Sequence, residues 1–256
     1  MLAQGVQDFQ MPDLTLSLVR SSQTVAGLKP KGANGFDFAP GDLLIERSND
    51  GYYHLGDVTL RLRRGNSGDW RDYSTAIARQ PVSPLPAVGN VLAAADLAPT
   101  LPADIPLKIT RTWVLVDGKL VLLYALKNKT SETVQVGALG IPLVFNNVMN
   151  HRTLSEAHEK CSFYDPYIGE EAGYVQVTRL NGHGPTLIVV PFGKTPMKRT
   201  ALSSTHMTRR KRQPLYIRTG HLGASLSRAS TTGWCTAKPL PKTSGRRRAS
   251  GMRRPC

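Results

Sequence analysis

Acidic residues are missing from the last quarter of this chain. Residues 194–256 contain 16 of the 33 Lys and Arg residues and none of the 18 Asp and Glu residues. The formal net charge of +15 therefore arises there, because residues 1–193 are close to neutral. This change in composition predicts two parts: a globular domain over 1–193 and a basic, low-complexity, disordered tail over 194–256.

Cysteines and long apolar runs are also scarce. The chain has three cysteines, and only Cys161 precedes residue 194, which excludes a disulfide framework and a CxxC metal pair. No apolar run reaches the roughly 20 residues of a membrane-spanning helix. The first residues, MLAQGVQDFQMPD, lack the basic and apolar regions of a signal peptide. From the sequence as written we expect a cytoplasmic chain with no membrane partner and no cofactor.

Residues 1–193 lack long helical periodicity and instead alternate apolar and polar residues. Leu14–Val19 and Val58–Arg63 each predict a strand with one buried face. Two β-rich runs flank Asp117-Gly118, a pair that favours the type I′ turn of a hairpin. The pattern predicts an all-β fold, an antiparallel β-sandwich. Further expectations are strands at 133–136, 142–145, 174–180 and 186–190, a short helix at 153–160, and a long loop over 81–106.

The basic tail has three interpretations. Its clusters at 208–212 and 245–248 would displace counterions from nucleic acid or another polyanion without sequence preference, and the first cluster could direct nuclear import. The same composition describes a solvated arm with no partner. The third interpretation is a frameshifted reading of a GC-rich gene, because a shifted frame permits acidic and aromatic strings at 197–204, 230–238 and 242–246.

Candidate catalytic residues come from the densest acidic stretch of residues 1–193. Glycoside hydrolysis requires two carboxyl groups, roughly 5–5.5 Å apart for retention or 6.5–9.5 Å apart for inversion. The structural alternative is that these residues line the exposed face of a short helix and a solvated turn. The candidates are Glu156, Glu159, Asp165, Glu170 and Glu171.

Other polar and aromatic residues of 1–193 are candidates for binding a metal or a saccharide. His151, His158, Glu159 and Cys161 lack the second His of HExxH and any structural zinc spacing, so no metal is predicted. Asn128-Lys129-Thr130 is an N-glycosylation acceptor motif. Several aromatic residues either stack on sugar rings or belong to the core and its rim. These residues are Tyr52, Tyr53, Trp70, Tyr73, Tyr164 and Tyr167.

Five segments carry a resemblance to a known family: LTLSLVRSSQTVAGLKP from Leu14, FDFAPGDLL from Phe36, YYHLGDVTLRL from Tyr52, YDPYIGEEAGYVQVTRL from Tyr164, and PFGKTP from Pro191. They resemble the N-terminal part of secreted six-hairpin-glycosidase-like proteins of fungi and bacteria. The resemblance spans most of residues 1–197. It implies an extracellular ancestor and a galactose-mutarotase-like supersandwich that precedes an (α/α) barrel.

The resemblance also implies a function. In glycosidases of this layout the catalytic carboxylates come mainly from the barrel, so none is carried over to a position in this chain. We therefore expect the non-catalytic sandwich part of a carbohydrate-active protein, with at most weak saccharide contact. The closing strands should be missing, which would leave the strand at 186–190 with an open edge. The alternatives are a basic-tailed protein that binds nucleic acid and a small glycosidase that uses the acidic stretch.

Overall fold

A computed structural model describes residues 5–33, 35–44, 53–168, 173–192, 205–206 and 211–219. These residues form three open antiparallel sheets and one short α-helix, α1 (Leu154–Lys160). The predicted all-β antiparallel fold is therefore confirmed. The strands are β1 (Val6–Gln10), β2 (Leu14–Val19), β3 (Val25–Pro30), β4 (Thr59–Arg64), β5 (Arg71–Ser74), β6 (Ser83–Leu85), β7 (Val91–Asp96), β8 (Leu107–Val116), β9 (Lys119–Asn128), β10 (Val134–Gly140), β11 (Ser162–Ile168), β12 (Gly173–Arg179), β13 (Leu187–Pro191), β14 (Thr205–His206) and β15 (Lys211–Thr219).

The strands divide into three sheets of different size. The first has the order β1-β2-β3, and the second has the order β14-β10-β4-β5. The third has eight strands in the order β11-β12-β13-β15-β9-β8-β7-β6. Neighbouring strands in all three sheets are antiparallel, so each can bury one face and expose the other.

The hairpin β8–β9 lies within the large sheet and confirms the prediction made from Asp117-Gly118. Both turn residues have positive φ, 51° for Asp117 and 72° for Gly118, as a type I′ turn requires. The register pairs Trp113 with Leu122 and Arg111 with Tyr124, and all four side chains are buried. The hairpin therefore contributes a continuous inner face to the core.

One hydrophobic core joins the three sheets. Leu16 and Leu28 of the first sheet, Leu60 of the second, and Trp113 and Leu122 of the third belong to the same buried cluster. Alternation along each strand places these side chains inward, which is the packing expected of sandwiched sheets. The apolar positions recognised in the sequence are thus the ones that hold the sheets together.

Two predictions for the middle of the chain were wrong. Residues 81–106 are not a long loop, because they contain β6 and β7, which pair with each other and with β8. Alanine is depleted in strands, but the three alanines of β7 are buried, and packing overrides that preference. Residues 142–145 are not a strand. The ladder between β10 and β4 ends where Gly140 meets Thr59, the first residue of β4.

Two segments of the basic region, β14 and β15, are strands. β14 pairs with β10, and β15 lies between β13 and β9 with partners on both sides. The slot between β13 and β9 offers backbone hydrogen-bonding groups on two edges, which compensates for the weak alternation of KRQPLYIRT. β13 consequently has no open edge. The other residues of 194–256 lie outside the described residues.

Candidate functional site

The acidic stretch begins in helix α1, which was predicted and is present. Thr153 caps it: the Thr153 hydroxyl accepts from the Glu156 amide at 3.2 Å, and the Glu156 carboxylate accepts from the Thr153 amide at 2.9 Å. This reciprocal arrangement is a capping box, which satisfies two backbone donors at the helix start. The hydrogen bonds from Thr153 lower the pKa of Glu156. Glu156 therefore acts as an ionised cap in this structure.

The other candidate carboxylates are dispersed. Glu159 is exposed on α1, and Asp165 lies on β11 in register with Gln176 of β12. Glu170 and Glu171 lie outside the described residues. Within the described residues, Glu156, Glu159 and Asp165 form no hydrogen bond with one another. The capping role of Glu156 is the structural alternative considered above, and the catalytic role of this stretch stays a prediction.

An ion pair attaches helix α1 to the N-terminal part of the chain. The Arg152 guanidinium contacts both carboxylate oxygens of Asp42, at 2.8 and 2.9 Å, and donates from Nε to the Val148 carbonyl. The hydrogen bond from Arg152 lowers the pKa of Asp42. Asp42 precedes the helix by more than a hundred residues. This pair therefore fixes the position of the acidic stretch against the loop that follows β3.

The histidines and the cysteine do not converge on a metal site. No group of three or more His, Cys, Asp or Glu side chains within the described residues could hold a metal ion. The buried Cys161 thiol contacts the Val148 carbonyl at 3.4 Å, and burial raises its pKa. His158 is exposed on α1, whereas His151 has a positive φ of 61°. Cys161 is therefore a core residue beside the helix.

The aromatic candidates differ in exposure. Tyr73 is buried in the core, and the Tyr164 ring lies 6.3 Å from that of Phe145. Trp70 is partly exposed and lies beside Arg63, whose Cζ is 4.6 Å from its ring centroid. Tyr53 is also partly exposed, Tyr167 is on β11, and Tyr52 lies outside the described residues. Trp70 is therefore a partly exposed ring with a guanidinium over it.

The side-chain amide of Asn128 is hydrogen-bonded within the turn that it begins. Its oxygen accepts from the Thr130 amide and the Thr130 hydroxyl, both at 2.8 Å, and its nitrogen donates to the Glu132 carbonyl at 2.6 Å. This Asx-type turn follows β9 immediately. The glycosylation motif is therefore part of the connection between β9 and β10.

A buried polar cluster escaped the sequence analysis. The Asp57 carboxylate contacts Arg79 at 2.9 Å, accepts from the His54 amide at 2.7 Å, and accepts from the Thr75 hydroxyl at 2.9 Å. The Asp57 and Arg79 side chains are only 2% and 7% exposed. The one signal in the sequence was HLGD at 54–57, which belongs to the resembling segment YYHLGDVTLRL. The carboxylate is fully occupied, so its arrangement is that of a structural ion pair.

A second buried cation lies next to this cluster. Arg111 donates to the Gly56 carbonyl and the Ser22 carbonyl, and the Tyr124 hydroxyl lies 2.6 Å from the same Gly56 oxygen. Trp113 donates to the Gln23 carbonyl at 3.0 Å. Burial lowers the pKa of Arg111 and raises that of Tyr124. Together these side chains hold the segments around Ser22 and Gly56 against the hairpin β8–β9.

Asp37 is a buried carboxylate of a different kind. One oxygen accepts from the Leu28 and Ala39 amides, at 2.7 and 2.8 Å, whereas the buried second oxygen has no hydrogen-bond partner among the described residues. Burial raises the pKa of Asp37 to about 6. The residue fixes the loop after β3, and its ionisation falls in a range where pH can change it.

Comparison with known proteins identifies the family. A family model described as a family of unknown function, DUF5695, matches residues 17–217. This chain belongs to that family. The match runs past Met197 into the basic region, whereas the resemblance inferred from the sequence was expected to stop there. A search of curated proteins gives no significant match.

A solved structure supports the fold assignment. The chain is similar to a polysaccharide lyase, with a TM-score of 0.59, 14% sequence identity and coverage of 81% of this chain. The chain spans 32% of the length of that lyase. At this identity the similarity establishes the fold alone. No helix within the described residues is long and apolar enough to cross a membrane.

Proposed function

We propose that this chain is a non-catalytic β-sandwich part of a carbohydrate-active protein and that its direct activity is weak saccharide contact. The observation that carries this proposal is the fold similarity to about a third of a polysaccharide lyase. In the six-hairpin-glycosidase layout that the sequence resemblance implies, the reacting groups come mainly from the barrel, which would leave saccharide contact to the sandwich.

The contacts of two carboxylates support the proposal. A general acid or base must reach the substrate proton within hydrogen-bond distance. Asp57 is enclosed by Arg79, Thr75 and a backbone amide, and Glu156 caps a helix. Both carboxylates are thus engaged in contacts within the fold, which favours a structural role for each.

The test uses the full 256-residue chain, because β15 lies between two strands of the large sheet and must be retained. We expect no reducing ends and no unsaturated ends from a panel of acidic and neutral plant, fungal and bacterial polysaccharides. We also expect retarded migration in gels that contain at least one of them. Cleavage that is lost in Glu159→Gln or Glu170→Gln would contradict the proposal and favour the small-glycosidase alternative.

A second proposal concerns the basic region. We place the end of the domain after Thr219 instead of at Gly193, because β15 pairs on both sides and the family match reaches residue 217.

The remaining basic residues would bind polyanions through counterion release, with affinity that falls steeply as salt rises. Discrimination between one DNA sequence and its scramble at physiological salt would contradict this. The nucleotide sequence around codon 197 tests the frameshift hypothesis.

A further inference from the structure

The outer face of the second sheet carries a row of arginines. In β4 the side chains of Leu60 and Leu62 are buried, so Arg61 and Arg63 alternate with them and project from the opposite face. Arg63 pairs in register with Gln135 of β10. The turn that follows β4 brings Asn66 and Trp70 to the same end of the face. We call Arg63, Asn66, Trp70 and Gln135 the Arg63 platform.

Gln135 holds the Arg63 guanidinium in place. Its side-chain oxygen accepts from Nε at 3.2 Å and from Nη2 at 2.5 Å. Its nitrogen donates to Oδ1 of Asn66 at 2.6 Å, and Gln135 itself is only 3% exposed. A guanidinium fixed in this way has lost its side-chain entropy before a ligand arrives, which favours binding.

The Trp70 ring packs against the second sheet at Gly137. A Cβ at Gly137 would lie only 2.7 Å from Cζ3 of the Trp70 ring, so any other residue would displace that ring. Gly137 occupies the irregularity in the ladder between Val136 and Ala138. The bulge thus provides the space in which an indole ring rests on the sheet beside Arg63. The Trp70 ring is partly exposed, and the Arg63 guanidinium lies over it, with Cζ 4.6 Å from the ring centroid.

Among the residues that the structure describes, no carboxylate pairs with the Arg63 guanidinium. Within the described residues Arg63 contacts the neutral Gln135 amide and the Trp70 ring and forms no ion pair. A guanidinium has five N–H donors, and two of them are used by Gln135. The other three can donate to a carboxylate, which a guanidinium binds more strongly than it binds a neutral acceptor.

We propose that the Arg63 platform binds an acidic saccharide, in which Arg63 donates to a carboxylate and the part of the Trp70 ring left uncovered by Arg63 and Gly137 contacts the C–H face of the same or the next sugar. The Asn66 amide nitrogen would donate to a ring hydroxyl. This inference rests on the proposed function and specifies its site and ligand class. A neutral saccharide of the same shape would lack the partner for the guanidinium and should bind more weakly.

The experiment measures binding of trigalacturonate and of its neutral methyl ester by indole fluorescence and calorimetry. The background chain carries Trp234→Phe, Arg246→Gln, Arg247→Gln and Arg248→Gln, which removes one indole and the densest basic cluster of the tail. Trp113 is fully buried, so the fluorescence change would report on Trp70. We expect Arg63→Gln and Trp70→Ala each to weaken binding of the acid about tenfold.

Two further variants control the result. Lys127→Gln removes one exposed positive charge from β9 and should leave affinity unchanged. Arg63→Lys keeps the charge but loses the planar fork, so its affinity should fall between the parent and Arg63→Gln. Thermal melts identify variants that fail to fold, and Asn66→Ala replaces Trp70→Ala if the latter does.

The outcomes separate the two proposals. Equal affinity for acid and ester, or an undiminished affinity in Arg63→Gln, would overturn the platform while leaving saccharide contact intact. An absence of binding by the parent chain would also overturn the platform. The proposed function is judged independently by the gel panel, since retardation by a neutral polysaccharide would support it even then.

Discussion

Two Arg–Asp pairs at opposite ends of the β4–β5 region differ in burial and in geometry. Asp57, just before β4, contacts Arg79 at 2.9 Å with side chains 2% and 7% exposed. Arg61 of β4 and Asp72 of β5 are 3.9 Å apart with side chains 54% and 78% exposed. The first pair is also hydrogen-bonded to Thr75 and to the His54 amide.

The comparison shows that burial and not residue type decides what these pairs do. Removing one member of a buried pair leaves a charge without water or a counterion, which costs several kcal/mol. An exposed pair is screened by solvent and contributes about 0–1 kcal/mol. The buried pair is therefore part of the fold, whereas the exposed pair leaves its charges available to a ligand.

The largest effect is expected from Asp57→Asn. The substitution keeps the size of the side chain but leaves the buried Arg79 guanidinium without its carboxylate. We expect the free energy of unfolding to fall by about 3–5 kcal/mol, measured by urea denaturation monitored by circular dichroism. Asp72→Asn is the matched control. A loss below about 1 kcal/mol for Asp57→Asn would show that water reaches the pair.

Asp37 extends the comparison to a buried carboxylate that forms no ion pair within the described residues. Because its folded pKa is raised to about 6, the folded state binds this proton more tightly than the unfolded chain does. Its contribution to stability is therefore greatest below about pH 4 and is lost as pH rises to about 6. Over that interval Asp37→Asn should gain roughly 2–3 kcal/mol relative to the parent.

Urea denaturation of both proteins at several pH values measures this difference. Asp42→Asn serves as the contrasting variant, because the pKa of Asp42 is lowered by Arg152 and its contribution is lost as pH falls. A constant difference between the parent and Asp37→Asn from pH 4 to pH 6 would contradict the raised pKa.

Glu156 is an exposed carboxylate whose partner is a hydroxyl and a backbone amide. Thr153→Ala removes the hydroxyl of the capping box and should lower the free energy of unfolding by about 1 kcal/mol. Ser155→Ala, an exposed substitution within α1, is the control and should have little effect. If both variants were equally stable, the cap would contribute nothing and Glu156 would be available for another role.

Local patterns predicted the parts of the fold that depend on local chemistry. Asp117-Gly118 indicated a hairpin because few residue pairs adopt two successive positive φ values, and the structure contains it. The start of α1 was predicted from residues 153–160. Strand β7 was missed because its alanines are stabilised by β8 and not by their own preference. Strand β15 was missed because it is stabilised by β13 and β9, and the residues it pairs with are more than twenty positions away in the chain.

The polar sites were harder to predict because they join distant parts of the sequence. Asp57 meets Arg79 across β4 and β5, and Arg63 meets Gln135 only through the register of β4 with β10. The sequence did single out Trp70 as an aromatic candidate, but it gave no reason to connect it with Arg63. That connection depends on Gly137, whose role appears only when the neighbouring strand is in place.

The smallest effect on stability is expected from Asp72→Asn, which removes the carboxylate beside Arg61. Because both side chains are mostly exposed, the free energy of unfolding should change by less than about 0.5 kcal/mol. The affinity for trigalacturonate should rise a few-fold at low salt, because the substitution removes a negative charge near Arg61 and Arg63. The methyl ester should be unaffected, and the gain should disappear at high salt because the charges are then screened. A loss of stability without a gain in affinity would mean that this pair supports the sheet, as Asp57 and Arg79 do.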